Sequence, residues 1–225
     1  MLYIVSTPIG NLKDITYRGV ETLKSVDLIA AEDTRHTRIL CEHYDIKTPL
    51  TSYFEHNKIK KSQELLKFLS EGKNVALVTD AGTPGISDPG FHLIRLAKEN
   101  NIPMTAVPGA TALIAALTLS GLPCHNFVFE GFLPVKSGAR RKKLEQLKGE
   151  ERTVVFYESP HRLIKALADI DAALKDAHVV CARELTKKFE EVREGTAAEL
   201  ISHFTKTNPR GEFVLLVSFD KKPLS

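Results

Sequence analysis

The chain has 225 residues, 43% of them hydrophobic and 26% charged, with a net charge of +3 at neutral pH. That length builds one large α/β domain or two modest ones, and no apolar run approaches the roughly 18 residues a membrane span needs. Three widely spaced cysteines, Cys41, Cys124 and Cys181, form no metal-type pair and suit a reducing, cytoplasmic setting; the small net charge permits a nucleic-acid partner without requiring one.

In chain order, short β-branched runs alternate with amphipathic stretches. The N-terminal Met1-Leu2-Tyr3-Ile4-Val5 has no basic region ahead of it and reads as a buried strand rather than a signal peptide. Strands are expected at 3–6, 27–31, 75–79, 104–107, 127–130, 153–156, 177–181 and 212–219. Between them lie helical spacings, with Leu65, Leu66 and Leu69 in one set and Leu163, Ile164, Leu167, Ile170 and Leu174 in another. Asp88-Pro89 and Ser159-Pro160 read as helix starts with proline in the first helical position, and Thr196 with Glu199 has capping-box spacing. The nearly continuous apolar run 213–217 predicts a strand covered on both faces. The alternation predicts two α/β domains with mixed, mostly parallel sheets. A boundary is expected within 108–123, giving an N-terminal domain at 1–112 and a C-terminal domain at 113–225.

Three punctuated segments follow strands. The first is Ser6-Thr7-Pro8-Ile9-Gly10-Asn11-Leu12. The second runs from Thr79 through Asp80-Ala81-Gly82-Thr83-Pro84-Gly85 to Gly90, and the third is Val107-Pro108-Gly109-Ala110-Thr111-Ala112. Glycine lets backbone approach a ligand and proline holds the loop's shape, at the strand ends where open α/β sheets bind ligands. The second lacks both the phosphate-loop lysine pattern and the dinucleotide fingerprint, which disfavours nucleotide hydrolysis and NAD binding. The eight histidines show no zinc-ligand spacing, so no metal site is expected.

These segments, with Ala31-Glu32-Asp33-Thr34-Arg35, Phe156-Tyr157-Glu158-Ser159-Pro160-His161-Arg162, Arg183-Glu184-Leu185-Thr186-Lys187 and Gly211-Glu212-Phe213, resemble the tetrapyrrole methylase superfamily in order along nearly the whole chain. Within it they are most similar to the branch that methylates a cytidine ribose 2′-oxygen in 16S rRNA of the small ribosomal subunit. Porphyrinoid-methylating members usually show Gly-Asp-Pro in the second loop, where this chain has Asp80-Ala81-Gly82-Thr83-Pro84. Members often continue for some tens of residues past the final strand; this sequence ends at Ser225.

The resemblance implies two domains with S-adenosyl-L-methionine in the cleft between them, and a homodimer. It places cofactor contacts at Pro8, Asp80, Ala81, Gly82, Gly85, Ile86, Thr111, Ala112, Tyr157, Leu185 and Gly211. A ribose hydroxyl is a weak nucleophile, so a base that takes its proton assists transfer; the candidates are Asp33, Glu158, Glu184 and, if its pKa is lowered, Lys187. The alternative is that Glu32 and Asp33 cap a helix beginning near Thr34. Arg35, Arg38, Arg162, Arg183 and Lys187 are the first candidates for RNA phosphates. The run containing Arg140 and Arg141 is a second, unless it is only a solvated helix face. The substrate is expected to be 16S rRNA or the assembled small subunit. A porphyrinoid or other small-molecule methyltransferase of the same fold, and a non-catalytic RNA-binding assembly factor, are the alternatives.

Overall fold

The computed structural model describes residues 1–175 and 177–219. The chain divides into two compact units, Met1–Thr111 and Ala112–Ser225. The first contains β1 (Leu2–Val5), α1 (Tyr17–Ser25), β2 (Leu28–Ala31), α2 (Thr34–His43), β3 (Leu50–Ser52), α3 (Lys58–Ser70), β4 (Val75–Val78), α4 (Gly90–Glu99) and β5 (Met104–Val107). Its sheet has the order β3-β2-β4-β1-β5 and is parallel throughout.

A parallel sheet needs cover on both faces, and alternate side chains of the same strands supply two cores. Ala76 and Val78 of β4 pack with Ile29, Leu23, Leu40 and Cys41 on the α1/α2 side. Val75 and Leu77 pack with Leu65, Leu69, Leu93 and Ala97 on the α3/α4 side. The expected stripe on α3 therefore buries Leu65 and Leu69 and leaves Leu66 half-buried.

The second unit runs α5 (Ala112–Ser120), β6 (Phe127–Phe132), α6 (Ser137–Glu145), β7 (Thr153–Glu158), α7 (Leu163–Ala173), β8 (His178–Arg183), β9 (Glu191–Gly195), α8 (Ala197–Thr207) and β10 (Phe213–Ser218). Its sheet has the order β6-β7-β10-β8-β9. Here β6 runs parallel to β7, while β10 is antiparallel to both β7 and β8, and β9 to β8. Over the two sheets the pairing is mixed with parallel ladders in the majority. All six residues of β10 are buried, as expected for a strand covered on both faces. Leu163, Leu167 and Ile170 of α7 are fully buried against one face, and α5 packs on β10, β7, β8 and β9.

Two strands escaped the sequence reading. Three-residue β3 is too short for periodicity to register, and β9 (Glu-Val-Arg-Glu-Gly) carries charges suited to a sheet edge. The capping box at Thr196 and Glu199 forms in both directions. The two proline starts differ from expectation. Helix α4 begins at Gly90, with the Asp88 carboxylate accepting from the N–H groups of Gly85 and Gly90. Helix α7 begins only at Leu163, after a turn in which the Ser159 carbonyl, not its side chain, accepts from Arg162 and Leu163.

Candidate functional site

The three punctuated turns follow β1, β4 and β5, which lie side by side, so parallel pairing brings them to one end of the first sheet. They are tied together. Thr7 and Gly82 exchange backbone hydrogen bonds of 2.9 and 3.1 Å, and the Thr7 hydroxyl donates to the Thr79 carbonyl at 3.0 Å. The hydroxyls of Ser6 and Thr83 share a hydrogen bond of 2.9 Å, and Thr83 also reaches the Ala110 carbonyl at 3.4 Å. Gly109 sits where a Cβ would lie 2.9 Å from the Ser6 Cβ, so only glycine admits this approach of the third turn to the first. The result is a rigid, side-chain-poor surface made from backbone.

The same end of the sheet is a topological switch point: β2 leads on to β3 on one side, whereas neighbouring β4 leads back across β1 to β5, so their loops diverge. Four acids gather there. Glu32 accepts from the Thr79 hydroxyl at 2.5 Å and from the Asp80 N–H at 3.3 Å. Asp80 Oδ1 accepts the Asp33 N–H at 2.9 Å. Burial raises the pKa of Asp80 despite that bond, with Glu32 adding repulsion. Burial likewise raises that of Asp88, opposed by the N–H groups of Gly85 and Gly90. Asp33 is the side-chain cap of α2, accepting from the Arg35 N–H at 2.8 Å. The Arg35 guanidinium lies 2.6 Å from it and holds its carboxyl well below the usual range. The capping role anticipated for Asp33 is therefore realised, and both Asp33 and Arg35 are engaged with each other.

Beside this cluster lies a cavity of about 240 Å³, entirely within the first unit. The turn after β1 contributes Pro8 and Leu12, α2 contributes His36, Thr37 and Ile39, and the end of β4 contributes Asp80. Of the other expected cofactor contacts, Ala81 and Ile86 are exposed, Gly82 is buried, and Gly85, Thr111 and Ala112 are half-buried. Arg38 is exposed and makes no ion pair among the described residues.

In the second unit, Tyr157 and Glu158 end β7. Tyr157 stacks edge-on against Phe129 and Phe132. Glu158 is buried and its pKa is raised by burial, which the Ser159 N–H and the Arg162 guanidinium 3.2 Å away only partly offset. Arg162 also donates to the Leu133 carbonyl, so it serves the fold at this point. Glu184 opens the loop after β8 with a positive φ, and its Oε1 accepts from Lys187 at 2.8 Å and from the Glu212 N–H at 3.0 Å. Burial opposes its ionisation, yet these donors outweigh it and the net shift is downward. Lys187 also reaches Glu212 at 2.7 Å; burial works against its charge, but the two carboxylates win and its pKa rises. The lowered pKa that would make Lys187 a base is absent. Leu185 is buried, and Gly211 packs directly on the Glu184 side chain.

The basic residues divide. Arg140 is a correction: expected to reach RNA phosphates or to lie on a solvated helix face, it is 3% exposed, pairs with buried Asp169 at 2.6 Å and donates to the carbonyls of Pro134 and Val135. Its charge is consumed in holding α6 to α7. Arg141 shares Asp169 but is largely exposed. Arg183 donates to the Arg210 carbonyl and pairs with Glu191. Among the described residues no cluster of three or more His, Cys, Asp or Glu is placed to hold a metal, and no helix is long and apolar enough to cross a membrane.

Sequence reasoning missed Ser6 and Thr83 as a linking pair and Thr37 as a cavity residue. The available signal was Thr37 itself, a hydroxyl on the apolar α2 stripe that also carries Leu40 and Cys41.

The chain is 53% identical over 219 residues to a ribosomal RNA small subunit methyltransferase I from Synechocystis sp., covering 97% of this chain and 78% of that protein. In fold it is similar to a diphthine synthase, with a TM-score of 0.76 at 16% identity, covering 96% of this chain and 89% of that one. It is also similar in fold to a uroporphyrin-III C-methyltransferase from Thermus thermophilus complexed with S-adenosylhomocysteine, with a TM-score of 0.67 at 17% identity and 97% of each chain covered. Residues 1–201 match the family of Tetrapyrrole (Corrin/Porphyrin) Methylases, and with the linked turns, the switch-point site and these likenesses in view, the chain belongs to that family.

Proposed function

We propose that this protein transfers the methyl group of S-adenosyl-L-methionine to the 2′-oxygen of a cytidine ribose in 16S rRNA, acting in the cytoplasm as a homodimer on the RNA or the assembled small subunit. The observation that carries this reading is the backbone surface made by the turns after β1, β4 and β5, joined by the Thr7–Gly82 bridge and the Ser6–Thr83 hydroxyl pair. It offers close backbone approach without a phosphate loop, which fits a nucleoside carrying no phosphate. The relatives of about half-identical sequence, by their name, supply the RNA substrate.

When bound, the cofactor supplies a methyl group on a positively charged sulfur, a good leaving group. The protein's task is alignment, which reaches several orders of magnitude in rate when the reacting atoms are held in line. Pro8, the Asp80-Ala81-Gly82 turn, Gly85 and Ile86 are the residues of the first unit that would hold the cofactor. For the ribose proton, three of the four candidates are committed: Asp33 to its cap and Arg35, Glu158 to Arg162 in a buried pair, Lys187 to two carboxylates. Glu184 keeps Oε2 without a hydrogen bond among the described residues and is partly exposed. We assign it the proton, as a weak base whose lowered pKa keeps it ionised at neutral pH. Arg38 and Arg141 are the exposed cations assigned to RNA phosphates.

The test is mass spectrometry of 16S rRNA from cells lacking the protein. A missing cytidine 2′-O-methyl group, restored by this chain with labelled S-adenosyl-L-methionine, is the expected result. Label appearing in a porphyrinoid and not in RNA would move the assignment to the small-molecule branch of the family.

A further inference from the structure

The cavity of the first unit is lined by an acid, Asp80, that the described residues engage through one oxygen. Thr37 also lines the cavity, but its hydroxyl oxygen is sealed from it and has no hydrogen-bond partner among the described residues. Asp80, on the opposite strand end, uses only Oδ1 within the protein; no donor among the described residues reaches Oδ2. Pro8, Leu12 and Ile39 give the wall apolar surface, Thr7 and Thr79 line it with hydroxyls already bonded within the protein, and exposed His36 stands at the rim. At about 240 Å³ the space is below the roughly 300–1,000 Å³ of pockets that enclose a drug-sized ligand. It suits one flat heterocycle rather than a whole cofactor.

Resting on the methyl-transfer reading above, we propose that this cavity receives the target nucleobase, unstacked from the RNA, and that Asp80 Oδ2 selects cytosine by accepting from its exocyclic amino group. Enzymes that work on a nucleotide commonly take it out of the stack and read its Watson–Crick edge in a pocket. A carboxylate oxygen is the natural partner of cytosine N4. Uracil carries a carbonyl at the same place, so the same oxygen repels it. Pro8 and Ile39 supply the apolar faces. Asp80 and Pro8 also belong to the turns assigned to the cofactor, which places the base next to the methyl donor. Here Asp80 acts as a specificity residue and takes no proton in the reaction.

The substitution Asp80→Asn isolates the idea. Asparagine still offers an oxygen to the Asp33 N–H, so the turn is kept, while the other arm becomes an amino group that repels cytosine N4 and welcomes uracil O4. Initial rates are measured on small subunits carrying cytidine or uridine at the modified position, with cofactor affinity followed by calorimetry. The wild type is expected to prefer cytidine, and Asp80→Asn to lower the cytidine-to-uridine ratio by at least about tenfold. A second variant, His36→Trp, alters an exposed rim position and should fill the cavity without touching the core. It is expected to raise KM for the subunit at least tenfold. If the wild type methylates RNA but Asp80→Asn keeps its ratio, or His36→Trp keeps its KM, the pocket assignment is overturned while the methyltransferase reading stands. If the wild type neither binds the cofactor nor modifies RNA, both fall together.

Discussion

Replacing Gly211 with alanine tests whether the loop carrying Glu184 is built as described. Gly211 has φ +84°, and an added Cβ would lie 2.3 Å from both Cδ and Oε1 of Glu184. Two costs follow. The left-handed backbone costs an L-residue about 1–2 kcal/mol. The carboxylate must also swing away, surrendering the bond it accepts from the Glu212 N–H, and a hydrogen bond to a charged group contributes about 1.5–3 kcal/mol. Because Glu184 and Lys187 are partly exposed, their ion pair adds little after solvent screening, and the hydrogen bond is best taken at the low end. The expected destabilisation is therefore about 3 kcal/mol. Gly72 provides the matched control: it has the same φ of +84° with nothing within 4 Å of an added Cβ, so Gly72→Ala should cost only the backbone part, about 1–2 kcal/mol. Urea unfolding by circular dichroism gives both values by linear extrapolation. Equal costs at the two glycines would refute the Glu184 contact as a stabilising interaction, whatever their absolute size.

Further outcomes follow from the charge arrangement. Asp169→Asn leaves the buried Arg140 guanidinium without its counter-charge and should cost about 3–5 kcal/mol in the same unfolding assay. Burial opposes the ionisation of Asp169, but Arg141, Ser137 and Arg140 outweigh it and its folded pKa lies below the unfolded one. Its contribution is then present above the ordinary aspartate range and lost as pH falls through the lower folded value, so the variant should flatten the acid limb of a stability–pH profile; an unchanged limb would contradict the assignment. Glu184→Gln should slow single-turnover methyl transfer about 10²-fold with cofactor Kd unchanged, and full retention of rate removes it as the base. Arg38→Ala and Arg141→Ala should each reduce the slope of log affinity against log salt for small-subunit RNA by up to about one unit, as expected for loss of one phosphate contact; Arg140→Met should show its effect in stability, not in that slope.

Much of this protein is legible without coordinates because the informative signals are local. A strand of β-branched residues followed by a glycine- and proline-rich turn needs only its own few residues to declare itself, and the turns after β1, β4 and β5 do so. The capping box at Thr196–Glu199 and the apolar stripe of α7 are equally short-range, set by side-chain chemistry within one or two helical turns. The edge strands β3 and β9 are not, since pairing rather than composition makes them strands. Tertiary structure alone sets β1 between β4 and β5, which brings together turns more than seventy residues apart through the Thr7–Gly82 bridge. It alone separates Arg140 from Arg141, adjacent in sequence: both reach Asp169, but the first is buried and the second largely exposed. The same holds for Thr37, whose residue type announces only a helix position; tertiary packing seals its hydroxyl without a partner among the described residues. Local chemistry chose the turns, and long-range packing chose which of their neighbours remain free to bind.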